Sequence, residues 1–257
     1  MQGITVPSAH TLPAPAVRYP TLPLRKVDAH VVPVCATCAV RGVCFTGRAS
    51  SAEGLRVLLP IARRRLEAGE QLRNDSAESV HVLRAGTMKT TMLASDGAEH
   101  VTGFHLPGEL IGLGNLARTE SRSATTALEQ VEVCAIPYAE LVRTAAETRS
   151  LRQNFWAAIS TEIVRSQQVA RVLAIRHADA RVAAFLLDVS LRMKDRGYSA
   201  QEFHMRMTRR EIGSYLGVRL ETVSRAFASF TKNNLIQVTA RHIRILDLAG
   251  LQAEADR

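Results

Sequence analysis

Three thiols stand within ten residues of one another, as Cys35-x2-Cys38-x5-Cys44, and the chain's remaining cysteine is the distant Cys134. Thiolates are soft ligands, and four of them complete the donor set of an iron–sulfur cluster or of a tetrahedral zinc. Spacing alone does not choose between those two. An isolated Cys134 in its apolar run would otherwise be a small buried hydrophobe. The eight histidines, at 10, 30, 81, 100, 105, 177, 204 and 242, are scattered, and no G-x-G-x-x-G, Walker A, H-E-x-x-H or G-x-S-x-G sequence occurs. A catalytic constellation is therefore not expected, and the chain does not read as an enzyme.

A second set of residues could read a nucleic acid. Thr208 and Glu211 have the T-x-x-E spacing of a capping box, so a helix can start at Thr208 with Ile212 and Leu216 on its buried side. Gly217 can end it. A second helix from about Leu220 carries Val223 and Phe227 on one face, and it places Glu221, Ser224 and Arg225 at i, i+3 and i+4 on the other. Those types suit a major groove: arginine donates twice to guanine, a carboxylate accepts from cytosine N4, and a hydroxyl does either.

The elements that must position these groups follow from the rest of the chain. The 257 residues include 46% hydrophobic and 22% charged side chains, enough for a packed core, and 33 basic against 24 acidic groups give a net charge of +9. Residues 176–245 carry 13 basic and 6 acidic groups, so most of that excess lies in the C-terminal module and implies an anionic partner. No run approaches the roughly 18 apolar residues of a membrane span, and no signal peptide is legible, so a cytoplasmic location with no membrane association is expected. Six of the nine prolines fall in residues 1–34, which read as a flexible arm. Short β-branched runs at 80–83, 87–93, 100–105 and 131–136, separated by glycine-bearing turns, predict a small β-barrel or sandwich.

From about Tyr138 the period becomes helical. Trp156, Ile159, Ile163, Ser166, Ala170 and Leu173 follow at steps of three and four, a heptad seam that packs either on its own domain or on a second copy. Its place between a β-rich and a basic module favours a dimer axis, with Ser166 as the polar member. The expected domains are an arm at 1–34, a cysteine-rich segment and sensory β-domain at 35–145, a dimerisation helix at 146–175 and a DNA-binding domain at 176–257.

Tyr-Leu-Gly-Val at 215–218, Glu-Thr-Val-Ser-Arg at 221–225 and the Thr-Gly-Phe-His-Leu-Pro-Gly-Glu-Leu-Ile-Gly run at 102–112 resemble the FNR branch of the Crp/Fnr bacterial transcription regulators. The resemblance runs from about Cys35 to Ile245. It implies an α+β fold: an N-terminal β-roll of cyclic-nucleotide-binding type, a long dimerisation helix and a C-terminal winged helix-turn-helix. It implies that Glu221, Ser224 and Arg225 read a palindrome of TTGAT-type half-sites, with double-stranded DNA, a second copy of the chain and RNA polymerase as partners. Arg219 stands where the family usually has a capping Thr or Ser, so a phosphate-contacting guanidinium replaces the hydroxyl cap. The Arg241-His242-Ile243-Arg244 segment would form the wing.

The resemblance also bears on the thiols. In the family's oxygen-sensing members the same C-x2-C-x5-C group and a remote β-roll cysteine hold a [4Fe–4S] cluster, which implies Cys35, Cys38, Cys44 and Cys134 as ligands. Oxygen converts that cluster to [2Fe–2S], and the regulator reverts to a monomer that binds DNA poorly. The ligands are expected on a flexible segment that the cluster orders against the dimer helix. Ser166 stands where the family's oxygen sensor has a carboxylate that opposes pairing, so oxygen is expected to switch this chain off less completely. A structural zinc is the alternative ligand. A cyclic nucleotide is the alternative signal, since Arg122-Ser123-Ala124 resembles the phosphate-binding Arg-Ser-Ala of that branch, although Leu113 stands after Gly112 where a ribose-binding Glu is required.

Overall fold

The computed structural model describes residues 35, 37–52, 59–72, 79–115 and 123–257; the proline-bearing arm and Arg122 lie outside them. Alternating apolar residues build two four-stranded antiparallel sheets. One has the order β1 (Ala62–Leu66), β8 (Val131–Pro137), β3 (Ser79–Ala85) and β6 (Leu110–Ile111). The other has the order β2 (Gln71–Leu72), β7 (Ser123–Ala127), β4 (Met88–Leu93) and β5 (Glu99–His105). Leu72, Leu83, Met88, Ile111, Ala127, Val131 and Val133 fill the space between them. This is the expected β-roll, and its strands contain all four runs read from the sequence except Thr87, which precedes β4.

The roll leads through α2 (Tyr138–Glu147) into the 26-residue α3 (Arg149–Ala174). Leu151, Phe155 and Val172 face the chain's own core, whereas Trp156 is 61% and Ile163 55% exposed. Ser166, Ala170 and Leu173 are exposed as well, and Ile159 alone of the six seam residues packs against the core. An apolar stripe left open along a helix of this length fits a second helix rather than its own domain.

The C-terminal module consists of α4 (Ala178–Asp195), β9 (Glu202–His204), α5 (Arg209–Leu216), α6 (Leu220–Lys232), β10 (Ile236–Thr239), β11 (His242–Ile245) and α7 (Leu248–Ala255). Strands β10, β11 and β9 form one antiparallel sheet, and the hairpin turn falls at Ala240 and Arg241. α7 has no counterpart in the sequence analysis.

The cysteine segment packs on the long helix. Residues Phe45–Ala52 form α1, whose Phe45 and Ala49, one turn apart, are buried together with Val40 and Cys44 of the preceding turns. The Phe45 ring lies 5.3 Å from that of Phe155 on α3. Aromatic and aliphatic burial therefore orders this segment directly against the long helix.

Candidate metal centre and nucleic-acid interface

The four thiols come from two parts of the chain, and Cys38, Cys44 and Cys134 share one apolar cluster. Cys35, Cys38 and Cys44 lie on the turns that lead into α1, where the Cys44 amide donates to the Val40 carbonyl at 2.9 Å. Cys134 lies on β8, opposite Arg63 of β1 and Val82 of β3. The Thr46 hydroxyl is 3.1 Å from Cys44 Sγ and 3.7 Å from Cys35 Sγ. Burial pushes the Cys134 thiol up to about 12, and Cys44, Cys35 and Cys38 add to the shift while Arg63 opposes it. Cys35 is also pushed up by burial, against the hydrogen bond from Thr46. A metal bound by these thiols would have to displace their protons.

Among the described residues, no three Cys, His, Asp or Glu side chains stand close enough together to hold one metal ion. A single zinc with bonds of about 2.3 Å brings its thiolates to ~3.8 Å of one another, whereas a multi-iron cluster bridges a wider gap. Cys38, Cys44 and Cys134 share one apolar cluster, and an all-sulfur donor set has the chemistry that an iron–sulfur cluster or a zinc requires.

The cysteine segment also touches the turn at Pro107, Gly108 and Glu109, whose ion pairs the sequence did not show. Gly108 has φ +92°, and a Cβ there would meet Val43 Cγ2 at 2.6 Å, so only glycine allows this approach. The next residue, Glu109, is buried and joins three parts of the chain. Its carboxylate accepts from Arg165 of α3 at 2.7 Å and from Arg192 of α4 at 2.9 Å, and it also pairs with Arg196. Arg192 in turn donates to the Phe104 carbonyl at 2.6 Å and to Asp188 at 3.1 Å. Burial would raise the Glu109 pKa, but Arg192, Arg165 and Arg196 hold it at about 2. Arg192 and Arg196 do show an i, i+4 spacing on α4, yet nothing in their spacing points to a partner more than 80 residues away.

A second seam joins the roll to the C-terminal module. The Val101 amide of β5 donates to Ser214 Oγ of α5 at 3.0 Å, and Lys89 of β4 pairs with Glu211 at 2.7 Å. Phe104 of β5 packs 5.0 Å from Tyr215. The first helix of the helix-turn-helix is thereby docked on the β-roll.

That motif has the geometry its sequence implied. The Thr208 hydroxyl accepts from the Glu211 amide while the Glu211 carboxylate accepts from the Thr208 amide, a complete capping box. Gly217 closes α5 in the left-handed region at φ +63°. Arg219 is the N-cap of α6 and makes no side-chain cap. Val223, Ala226, Phe227 and Phe230 are buried, which leaves Glu221, Ser224 and Arg225 together on the solvent face. The Arg225 guanidinium contacts only Thr222 on its own helix, at 3.4 Å, among the described hydrogen bonds.

Comparison with known proteins bears on the whole arrangement. Residues 63–148 match the model of the cyclic nucleotide-binding domain, and residues 180–254 match that of the Crp-like helix-turn-helix domain. The chain is 40% identical to the transcriptional regulatory protein btr of Bordetella pertussis, over 90% of this chain and 95% of that protein. It is 40% identical to the anaerobic regulatory protein of Haemophilus influenzae, over 69% of each chain. The solved structure of FixK2 from Bradyrhizobium japonicum aligns with a TM-score of 0.66 at 27% identity, covering 75% of this chain and 96% of that one.

Proposed function

The chain belongs to the Crp/Fnr family of DNA-binding transcription regulators, which are not enzymes, and from that membership we propose that it is an oxygen sensor of the FNR type. It holds a [4Fe–4S] cluster on Cys35, Cys38, Cys44 and Cys134 and pairs along α3. As a dimer it binds palindromic TTGAT-type sites when oxygen is low, acting in the cytoplasm with RNA polymerase. The observation that supports this reading is an all-cysteine donor set, three thiols on the turns into α1 and a fourth on β8, with Cys38, Cys44 and Cys134 in one apolar cluster. The likeness to a protein named anaerobic regulatory protein supports the low-oxygen role.

When bound, the cluster supplies the chemistry that responds to oxygen. The chain's own residues supply the transmission. Cys44 is followed directly by α1, and Phe45 presses on Phe155, whose neighbour Trp156 opens the exposed stripe of α3. Movement of the ligand segment therefore bears on the dimer face, and Val43 against Gly108 bears on the Glu109 ion pairs. Pairing along α3 sets two α6 helices about one DNA turn apart, an arrangement that a monomer cannot make. Leu113 packs on the cysteine-side core, so the position that would supply a ribose-binding carboxylate is apolar.

Anaerobic purification tests the reading. About four irons and four sulfides per chain, with a visible absorption that bleaches in air, are expected. Stoichiometric zinc without a chromophore would overturn the oxygen sensor while leaving the DNA-binding protein intact.

The recognition helix has its own test. Arg225→Ala is expected to weaken binding to the specific palindrome by about 1–3 kcal/mol and to relax discrimination at one base pair. Fluorescence anisotropy on a set of single-base variants of the site measures both effects. An equal loss on every sequence would reduce Arg225 to a phosphate contact.

A further inference from the structure

Resting on the cluster reading above, we propose that Thr46 and Arg84 are positioning residues for the metal centre, Thr46 by donating a hydrogen bond to Cys44 and Arg84 by offering its buried Nε–H to the sulfur set, and that they thereby set how long the cluster survives in air. Thr46 is buried, and its hydroxyl lies between two of the thiols, nearer Cys44. A thiolate ligand carries no proton, so once the metal is bound the hydroxyl must be the donor, and its single hydrogen goes to the closer sulfur. Thr46 cannot easily swing away. It is the second residue of α1, flanked by Phe45, which is wedged against Phe155, and followed on the same helix by the buried Ala49.

Arg84 approaches from the roll. Its guanidinium is paired with Glu132, which also accepts from Arg65 at 2.9 Å and stands two residues before Cys134 on β8. Glu132 and Cys134 stand two residues apart on β8, so they share one face of the sheet, and Arg84 reaches that face through its ion pair. The Arg84 Nε is buried and has no hydrogen-bond partner in the protein. A buried donor of this kind is a group in want of an acceptor.

Hydrogen bonds to the sulfurs of an iron–sulfur cluster stabilise its more negative, reduced form. With a cluster bound, a thiolate that accepts hydrogen bonds would yield an electron to dioxygen, which would depart as superoxide, less readily. Removing the donors should therefore speed oxidation without removing a ligand.

The test compares full-length wild type, Thr46→Val, Thr46→Ser and Arg84→Met, all purified without oxygen. Iron and sulfide per chain are measured first, and then the half-life of the visible absorption in air-saturated buffer. The expected result is full loading in all four, a half-life about three- to tenfold shorter for Thr46→Val and Arg84→Met, and near-wild-type behaviour for Thr46→Ser. A Thr46→Val protein that fails to load while Thr46→Ser loads also supports the assignment, because the two differ in the hydroxyl. Full loading with wild-type bleaching in Thr46→Val overturns it for Thr46. If neither Thr46 variant loads, wild-type bleaching in Arg84→Met overturns it. Wild type without iron would sink the cluster reading and this inference together, and that result is distinct because it appears before any variant is compared.

Discussion

Glu109→Gln is expected to lower the unfolding free energy by about 3–5 kcal/mol, because it leaves Arg165, Arg192 and Arg196 around a buried amide, with only the more exposed Glu162 and Asp188 to offset the first two. The substitution keeps the shape of the side chain, so the loss reports on charge rather than on packing. The same carboxylate makes the protein acid-sensitive. Its pKa of about 2 lies below the ordinary 4.5, so its contribution is complete above pH 4.5 and disappears as pH falls towards 2. That shift corresponds to about 3 kcal/mol. His105 acts in a higher window. Burial lowers its pKa from 6.5 to about 4, so stability drops between those values as a buried imidazole is forced to charge. Urea unfolding at a series of pH values checks both. Wild type should weaken from pH 6.5 downward, and Glu109→Gln should lose the step between 4.5 and 2 while keeping that of His105. An unchanged acid limb in the variant would mean that Glu109 is not the group responsible. In a double-mutant cycle, adding Arg192→Met should cost less in the Glu109→Gln background than alone.

Cys134→Ala is the second large effect. Iron and sulfide are expected to fall from about four per chain to near zero, because three thiolates from one short segment leave the fourth corner of the centre open. Binding to the specific palindrome should fall to the non-specific level, a loss of about 10³-fold or more. The side chain is small and lies on the cysteine-facing side of β8 between β1 and β3, so the fold itself should persist. Thermal unfolding close to that of the metal-free wild type separates loss of the centre from loss of the domain. Normal iron content in Cys134→Ala would remove Cys134 from the ligand set.

The two variants probe opposite ends of one set of contacts. Val43 and Phe45 flank Cys44, and Val43 meets Gly108 beside Glu109 while Phe45 meets Phe155 of α3. Arg165 ties Glu109 to the helix that bears the open apolar stripe, while Arg192 and Arg196 tie it to the helix that supports the DNA-reading module. A change at the thiols thus meets both the pairing face and the recognition module through a buried, close-packed turn.

Local patterns were enough for much of this protein. The capping box at Thr208 and Glu211, the stop at Gly217 and the shared face of Glu221, Ser224 and Arg225 depend on residues within one or two helical turns, and periodicity reports such relations directly. The strands of the roll and the stripe on α3 were legible for the same reason. Spacing grouped three thiols, but it could not show that Cys134 faces them, because that depends on the pairing of β8 with β1 and β3. Nor could it show that the cysteine segment folds as α1, since an eight-residue helix with little amphipathic signal is stabilised mainly by Phe155 on α3. Glu109, Thr46, Arg84 and the docking of β5 on α5 were invisible for one physical reason. An ion pair or hydrogen bond between residues far apart in the chain leaves no period in the sequence, and it exists only once packing has excluded water and brought the partners within about 3 Å.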